Sequence, residues 1–232
     1  MKTVVFGHRG IPTKLPENSL AGFEYSLEHG VEGIEFDVHL TKDSVPVIMH
    51  DEKIDRTTDG KGYIHDYTYQ QLKQFHLENG ETIPLLAKFL KLVADHDVQL
   101  NLEFKTNQIH YPGIESLVLS MVHAAHLKNP VIFSSFDLST LENAYSIDPK
   151  QNYCYLVDHK VKQPLAFLKK EHLKGLHLNT FENVPSLTER IWTVDDVSQM
   201  KKLFADHVAG IFTDNFENAM HVRDHSNIKL AN

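Results

Sequence analysis

The chain has 232 residues, 41% of them hydrophobic, which is enough for the core of one large domain or two small ones. Its net charge of −8, with Lys and Arg scattered along the chain, argues against a nucleic-acid partner. No apolar stretch approaches the ~20 residues that span a bilayer, and the first residues show no signal-peptide pattern. The single cysteine, Cys154, excludes an internal disulfide. We therefore expect a cytoplasmic protein without stable membrane association, and the sequence leaves homo-oligomerisation open.

Short, mostly apolar strand patterns alternate with helical patterns along the chain, which predicts a parallel sheet. Eight such pairs fit a closed (β/α)8 TIM barrel, a fold that typically takes about 250 residues. The alternative is an open doubly wound sheet, but no G-x-G-x-x-G follows the first strand. The sequence predicts strands at 4–7, 33–38, 99–104, 131–135, 153–157, 175–178, 190–194 and 210–213, and helices near 17–29, 84–96, 113–127, 138–147, 163–171, 183–189, 195–206 and 215–224.

One segment breaks this alternation after the second strand. Two apolar runs are separated only by residues 41–44, too few for a crossover helix, so we expect a β-hairpin. The hairpin would return His50 to the level of Glu35. Residues 52–83 then form a polar excursion, which we interpret as a small insertion within a single domain spanning 1–232.

Barrels of this class carry their catalytic groups at the carboxyl ends of the strands. Glu35 and Asp37 are two residues apart and therefore share one face of the second strand. If that face is the interior, a divalent cation would offset the cost of burying two carboxylates, with Glu103 as a third oxygen ligand. An all-carboxylate set favours Mg²⁺ or Ca²⁺ over Zn²⁺. The alternative, an outward face paired with lysines, is disfavoured because the alternate residues are apolar: Ile34, Phe36 and Val38.

Two histidines and two cations accompany these carboxylates at the predicted strand ends. His8 and His50 can act as general acid and base near neutral pH. Arg9 offers a planar fork for phosphate oxygens and Lys105 a point charge, although either can equally form a structural salt bridge. Together the set is typical of phosphoryl transfer on a bound phosphodiester.

A series of short motifs then completes the pattern: His8-Arg9-Gly10, Pro16-Glu17-Asn18-Ser19, Glu35-x-Asp37, His50-Asp51, Glu103-x-Lys105, Ser135-Phe136, Trp192-Thr193-Val194 and Thr213-Asp214. In this order the series closely resembles the glycerophosphodiester phosphodiesterases, which are TIM-barrel phosphodiesterases of the phospholipase-C-like type. The resemblance implies metal-dependent hydrolysis of glycerophosphodiesters to glycerol 3-phosphate and an alcohol, with one divalent cation, Mg²⁺ or Ca²⁺.

The resemblance also implies a role for each matching residue. The acid/base pair would be His8 and His50, the metal ligands Glu35, Asp37 and Glu103, and the phosphate contacts Arg9 and Lys105. Around them, Glu17, Asn18 and Asp51 would hold these groups by hydrogen bonding, although Asn18 can equally be a helix cap. Phe136 and Trp192 would pack against the glycerol carbons, or simply against the barrel top.

Three rival functions stay open. A phosphodiesterase acting on phospholipid head groups would need exposed aromatic residues or a basic face, which the composition does not offer. A metal-dependent amidohydrolase would prefer His-x-His on the first strand, where this chain has Arg9-Gly10. A non-catalytic phosphate-binding module would need neither His8 nor His50.

Overall fold

Eight parallel strands close into a barrel in the computed structural model, which describes residues 2–226. The described strands are β1 (Val4–His8), β2 (Gly33–Leu40), β3 (Pro46–Ile48), β4 (Gln99–Phe104), β5 (Ile132–Ser135), β6 (Asn152–Val157), β7 (Gly175–Leu178), β8 (Glu189–Ile191) and β9 (Gly210–Thr213). All except β3 are parallel to their neighbours, and the ring closes because β1 pairs with both β2 and β9. The predicted (β/α)8 TIM barrel is therefore confirmed.

Helices surround the barrel, and several of them begin at polar side-chain caps. The described α-helices are α1 (Leu20–Glu28), α2 (Tyr69–Leu72), α3 (Leu86–Val93), α4 (Ile114–Ala124), α5 (Leu138–Ile147), α6 (Pro164–Lys170), α7 (Val197–Ala205) and α8 (Phe216–Ser226). Side chains of Ser19, Asp137 and Asp196 accept backbone N–H groups at the starts of α1, α5 and α7. None of the helices within residues 2–226 has the length and apolar character needed to cross a bilayer.

The helix predicted at 183–189 is wrong, because β7 joins β8 through a turn that contains no helix. Asn183 and Ser186 take left-handed backbone conformations, with φ of 54° and 68°, which interrupt any helix. The buried carboxylate of Glu189 accepts the backbone N–H of Val184 at 2.9 Å. This bond, between residues five positions apart, satisfies a backbone N–H group within the turn itself.

The predicted hairpin follows β2, with Val38 opposite Ile48 in the antiparallel β3. Ser44 sits in its turn with a φ of 58°, a conformation that glycine adopts more readily. The segment that follows shares an apolar cluster with the hairpin: Val47 and Met49 from the hairpin pack with Ile54, Ile64, Leu72, Leu77 and Ile83. Its Glu81 carboxylate accepts backbone N–H groups at the start of α1, which fixes the insertion beside the carboxyl-terminal rim of the barrel.

The alternation of side chains along β2 separates the core from the barrel interior. Ile34, Phe36 and Val38 are fully buried on the outer side, where the ring centroid of Phe36 lies 4.3 Å from that of Phe89 in α3. Burial of one such side chain contributes about 1.5–3 kcal/mol to folding. The intervening carboxylates therefore point into the barrel, and this packing holds them there.

Candidate active site

A sharp turn follows β1 at the carboxyl-terminal end of the barrel, which we call the mouth, and places Arg9 and Gly10 there. Arg9 and Gly10 have φ of 56° and 91°, and a side chain at Gly7 would meet the Gly10 carbonyl oxygen at 2.4 Å. Both glycines are therefore required by the turn. The backbone N–H of Arg9 donates to the carboxylate of Glu35 at 3.0 Å, which ties this turn to β2.

Three buried carboxylates meet at the mouth. One oxygen from each of Glu35, Asp37 and Glu103 lies within 4.8 Å of the others. Burial raises the pKa of Glu35 well above its usual range, and the two neighbouring carboxylates raise it further. Burial would also raise the pKa of Asp37, but the charges of Lys105 and Arg9 outweigh it and hold that pKa well below its usual range.

The donor set of this cluster suits a hard divalent cation. Oδ1 of Asp37 is buried, has no hydrogen-bond partner among the described residues and lies 3.7 Å from Nζ of Lys105, which leaves its lone pairs available to a cation. Its other oxygen accepts the side-chain amide of Asn18 at 2.9 Å, which fixes the carboxylate orientation. Lys105 donates to Glu103 at 2.8 Å and offsets part of the negative charge. These three carboxylates fit the oxygen preference of Mg²⁺ or Ca²⁺.

His8 lies at the edge of this cluster with a carboxylate behind it. Its Nδ1–H donates to Oδ1 of Asp214 at 2.7 Å, and its Nε2 lies 4.0 Å from Oε2 of Glu35. Asp214 is held in turn by Asp195, whose carboxylate accepts the Asp214 backbone N–H at 2.9 Å. The Asp214 bond orients the imidazole and leaves Nε2 as its basic nitrogen.

His50 has a matching carboxylate partner. Its Nδ1–H donates to Oδ1 of Asp51 at 2.7 Å. Its backbone carbonyl accepts Nε2–H of the buried His39 at 3.0 Å, and Nδ1 of His39 accepts the hydroxyl of Tyr111 at 2.9 Å. Burial lowers the pKa of His39 to about 4, so the ring is neutral and can both donate and accept. His50 is therefore fixed through both its ring and its backbone.

A chain of ion pairs joins the two sides of the mouth. Arg56, from the insertion, donates two 2.7 Å hydrogen bonds to Glu17 and a 2.7 Å bond to Asp51. Glu17 also accepts Nη1 of Arg9 at 3.1 Å. Burial would raise the pKa of Asp51, but Arg56 and His50 lower it to about 2. Glu17 therefore fixes Arg9, and Arg56 links Glu17 to Asp51, the carboxylate that orients His50.

These groups open into a cavity of about 170 Å³. The ring of Phe136 meets that of Trp192 edge to face, with centroids 5.5 Å apart. Deeper inside, polar atoms of Asn101, His177 and Trp192 are buried without a hydrogen-bond partner among the described residues. The cavity is lined by His8, Arg9, Glu35, His50, Asn101, Glu103, Phe136, Leu156, His177, Trp192, Thr193 and Phe212.

The predicted site residues all lie at this mouth. Seven of them line the cavity, and the other five contact those residues or the acid cluster: Asp37, Lys105, Glu17, Asn18 and Asp51. Ser19 rather than Asn18 caps α1, which leaves the Asn18 side chain to Asp37.

Sequence reasoning assigned no role to several residues that contact this site: Arg56, Asp214, His39, Tyr111, Asn101 and His177. Two of them carried a usable signal. Asp214 follows β9, which neighbours β1 once the barrel closes. His39 continues the period of two that Glu35 and Asp37 begin on β2. Arg56 and Tyr111 lie in connecting segments, where no periodicity points to a partner.

A model of the glycerophosphoryl diester phosphodiesterase family matches residues 8–218. The chain belongs to this family. The resemblance seen in the sequence is thus confirmed, and with it the prediction that the chain is an enzyme of this kind.

Relatives and solved structures agree with this assignment. A glycerophosphodiester phosphodiesterase of Bacillus altitudinis is 36% identical over 241 residues, which cover 96% of this chain and 98% of the relative. One from Caldanaerobacter subterraneus subsp. tengcongensis is 34% identical over 233 residues, covering 94% and 96%. A phosphodiesterase of Oleispira antarctica, solved in complex with the product sn-glycerol-3-phosphate, is 27% identical and superposes with a TM-score of 0.86, covering 96% of this chain and 97% of that one.

Proposed function

We propose that this chain hydrolyses glycerophosphodiesters to glycerol 3-phosphate and an alcohol, using His8 and His50 for proton transfer. The observation that carries the proposal is that both imidazoles donate Nδ1–H to a carboxylate, Asp214 and Asp51 respectively, at 2.7 Å. Each then presents Nε2 for proton exchange in a cavity that also holds two of the clustered carboxylates. The product complex of the Oleispira antarctica relative supports a small phosphorylated substrate.

The acid cluster is the proposed metal site, with Glu35, Asp37 and Glu103 as ligands. When bound there, Mg²⁺ or Ca²⁺ supplies a Lewis acid that offsets negative charge on the phosphate. Arg9 lies in the cavity wall and is the proposed phosphate contact, held in place by Glu17. Lys105 donates to Glu103, so we propose that it acts on the phosphate mainly through its charge.

The two imidazoles divide the proton transfers. One accepts, through Nε2, the proton of the nucleophile, which is water or the neighbouring glycerol hydroxyl, while the other donates a proton to the oxygen of the departing alcohol. If the glycerol hydroxyl attacks, water then opens the resulting cyclic phosphate. The buried polar atoms of Asn101 and His177 are neutral donors and acceptors that suit hydroxyl groups. Phe136 and Trp192 would cover the glycerol carbons, so we propose that the glycerol end enters the cavity and the alcohol faces outward.

The test is release of glycerol 3-phosphate by metal-stripped protein after Mg²⁺ or Ca²⁺ is restored. Substrates are glycerophosphocholine, glycerophosphoethanolamine and glycerophosphoglycerol. Intact phosphatidylcholine is the comparison, and its hydrolysis is followed as choline release because its acyl chains prevent release of glycerol 3-phosphate. We expect turnover of at least one glycerophosphodiester only after cation addition, and none of the phospholipid. Release from the phospholipid alone, or full activity without cation, contradicts the proposal. We also propose a cytoplasmic location, with which a chain that can form no internal disulfide is compatible.

A further inference from the structure

A second cavity, of about 300 Å³, lies at the opposite end of the barrel. Its lining includes Gln99 and Asn152, which begin β4 and β6, and Lys174, which precedes β7. An apolar cluster inside the barrel, formed by Phe6, Ile132, Cys154 and Phe212, separates it from the active-site cavity: Ile132 and Cys154 line the lower cavity, and Phe212 lines the upper one. The amino-terminal layers of such barrels are usually filled by branched apolar side chains, so a polar cavity here is unusual.

Among the described residues, the charge of this cavity is entirely positive. Lys174 and Arg190 are its charged lining residues, and no carboxylate of residues 2–226 lines it. Neither cation forms an ion pair within residues 2–226. The guanidinium Nη1 of Arg190 lies 3.7 Å from Sγ of Cys154, and its Nε is buried without a hydrogen-bond partner in the described chain. Burial raises the pKa of the Cys154 thiol, so that group supplies no negative charge.

A half-buried guanidinium without a counter-ion has lost hydration that its single weak hydrogen bond to the Cys154 thiol replaces only in part. Its planar fork matches the oxygens of a tetrahedral anion, and the ammonium of Lys174 adds a second charge for a dianion. The side chains of Asn152 and Thr188 add neutral donors to the same wall. We propose that this cavity binds a phosphate group, either free or as a small monoester. The proposal stands apart from the proposed function, because the apolar cluster lies between the two cavities.

The test is a calorimetric titration of the metal-free protein with inorganic phosphate. Arg190→Met removes the fork while keeping much of the side-chain volume, and Lys202→Met removes an exposed charge on α7 as a matched control. We expect Arg190→Met to weaken phosphate binding about tenfold or more, because a charged hydrogen-bonding partner is lost, whereas Lys202→Met changes it less than twofold. Inhibition of diester hydrolysis by phosphate, which reports on the active site, should be the same in both variants.

Equal phosphate affinity in Arg190→Met and in the unsubstituted protein overturns the proposal. The proposal is also overturned if Arg190→Met loses phosphate binding and, with it, the inhibition of diester hydrolysis by phosphate, because the phosphate then binds in the active site. If Arg190→Met fails to fold, Lys174→Met serves instead, since Lys174 is exposed and outside the strands; a loss of affinity supports the site and an unchanged affinity overturns it. Glycerol 3-phosphate is the second probe. If glycerol 3-phosphate binds more tightly than inorganic phosphate, and the Arg190 or Lys174 variant loses this binding, the cavity is a monoester site. Equal or weaker binding of glycerol 3-phosphate identifies a site for the free ion.

Discussion

His8 and Asp214 lie 206 positions apart in the chain, yet their side chains form a 2.7 Å hydrogen bond at the barrel mouth. The closure of the barrel makes this contact, because β9 lies beside β1. We expect Asp214→Ala to lower kcat by about tenfold or more, since the His8 ring loses the group that orients it. Steady-state hydrolysis of a glycerophosphodiester measures this. Asp206→Ala, at an exposed aspartate after α7, is the control, and equal kcat in the two variants would show that Asp214 has no such role.

Tyr111 and His39 position His50 without entering the cavity lining. Tyr111→Phe removes the hydroxyl that donates to His39, and a buried acceptor left unpaired costs about 1–3 kcal/mol. We expect a lower kcat and a displaced pH profile with little change in KM, because the substrate contacts remain. Tyr153→Phe is the matched control, since within the described chain its hydroxyl bonds only to the backbone carbonyls of Ala144 and Asp148, far from the site. A pH profile identical to that of the control contradicts this positioning role.

The sequence predicts this site well where the chemistry depends on local periodicity. Glu35 and Asp37 alternate with apolar residues, so their inward direction follows from strand geometry, and the four-residue turn at 41–44 allows only a hairpin. Contacts such as His8–Asp214 and Arg56–Glu17 depend on how the barrel closes and where the insertion docks. The helix predicted at 183–189 fails for a local reason. Asn183 and Ser186 adopt left-handed backbone conformations, and the carboxylate of Glu189 accepts backbone N–H groups of its own connecting segment.

The ion pairs of Asp51 make stability depend on pH. The pKa of Asp51 is lowered from 3.8 to about 2 in the folded protein. Between these two pH values, the unfolded chain therefore binds more protons at Asp51 than the folded protein does. The stabilisation is therefore present above about pH 4 and is lost toward pH 2. After allowance for solvent screening, it amounts to about 1–2 kcal/mol. Urea unfolding at pH 6 and pH 3 should show a smaller pH dependence in Asp51→Asn than in the control Asp95→Asn. The same dependence in both would contradict this account.

Cation binding at the acid cluster should stabilise the fold. A ligand at a hundred times its Kd adds about 2.7 kcal/mol, which corresponds to a Tm increase of about 5–10 °C for a chain of this length. We expect Glu35→Gln to lose most of this increase in Mg²⁺ or Ca²⁺. Glu28→Gln, at an exposed position on α1, should keep it. Thermal unfolding with and without the cation distinguishes them, and an equal increase in both variants would place the cation elsewhere.

The most direct test of the account is the kcat of His8→Ala and His50→Ala, measured as glycerol 3-phosphate release with the cation present. His96→Ala, at an exposed histidine, is the control, and circular dichroism verifies folding of all three. The account predicts that each active-site variant loses about 10²–10⁴ in kcat while remaining folded, and that the control keeps its activity. A folded His8→Ala or His50→Ala protein that retains most of its turnover would contradict proton transfer by the two imidazoles.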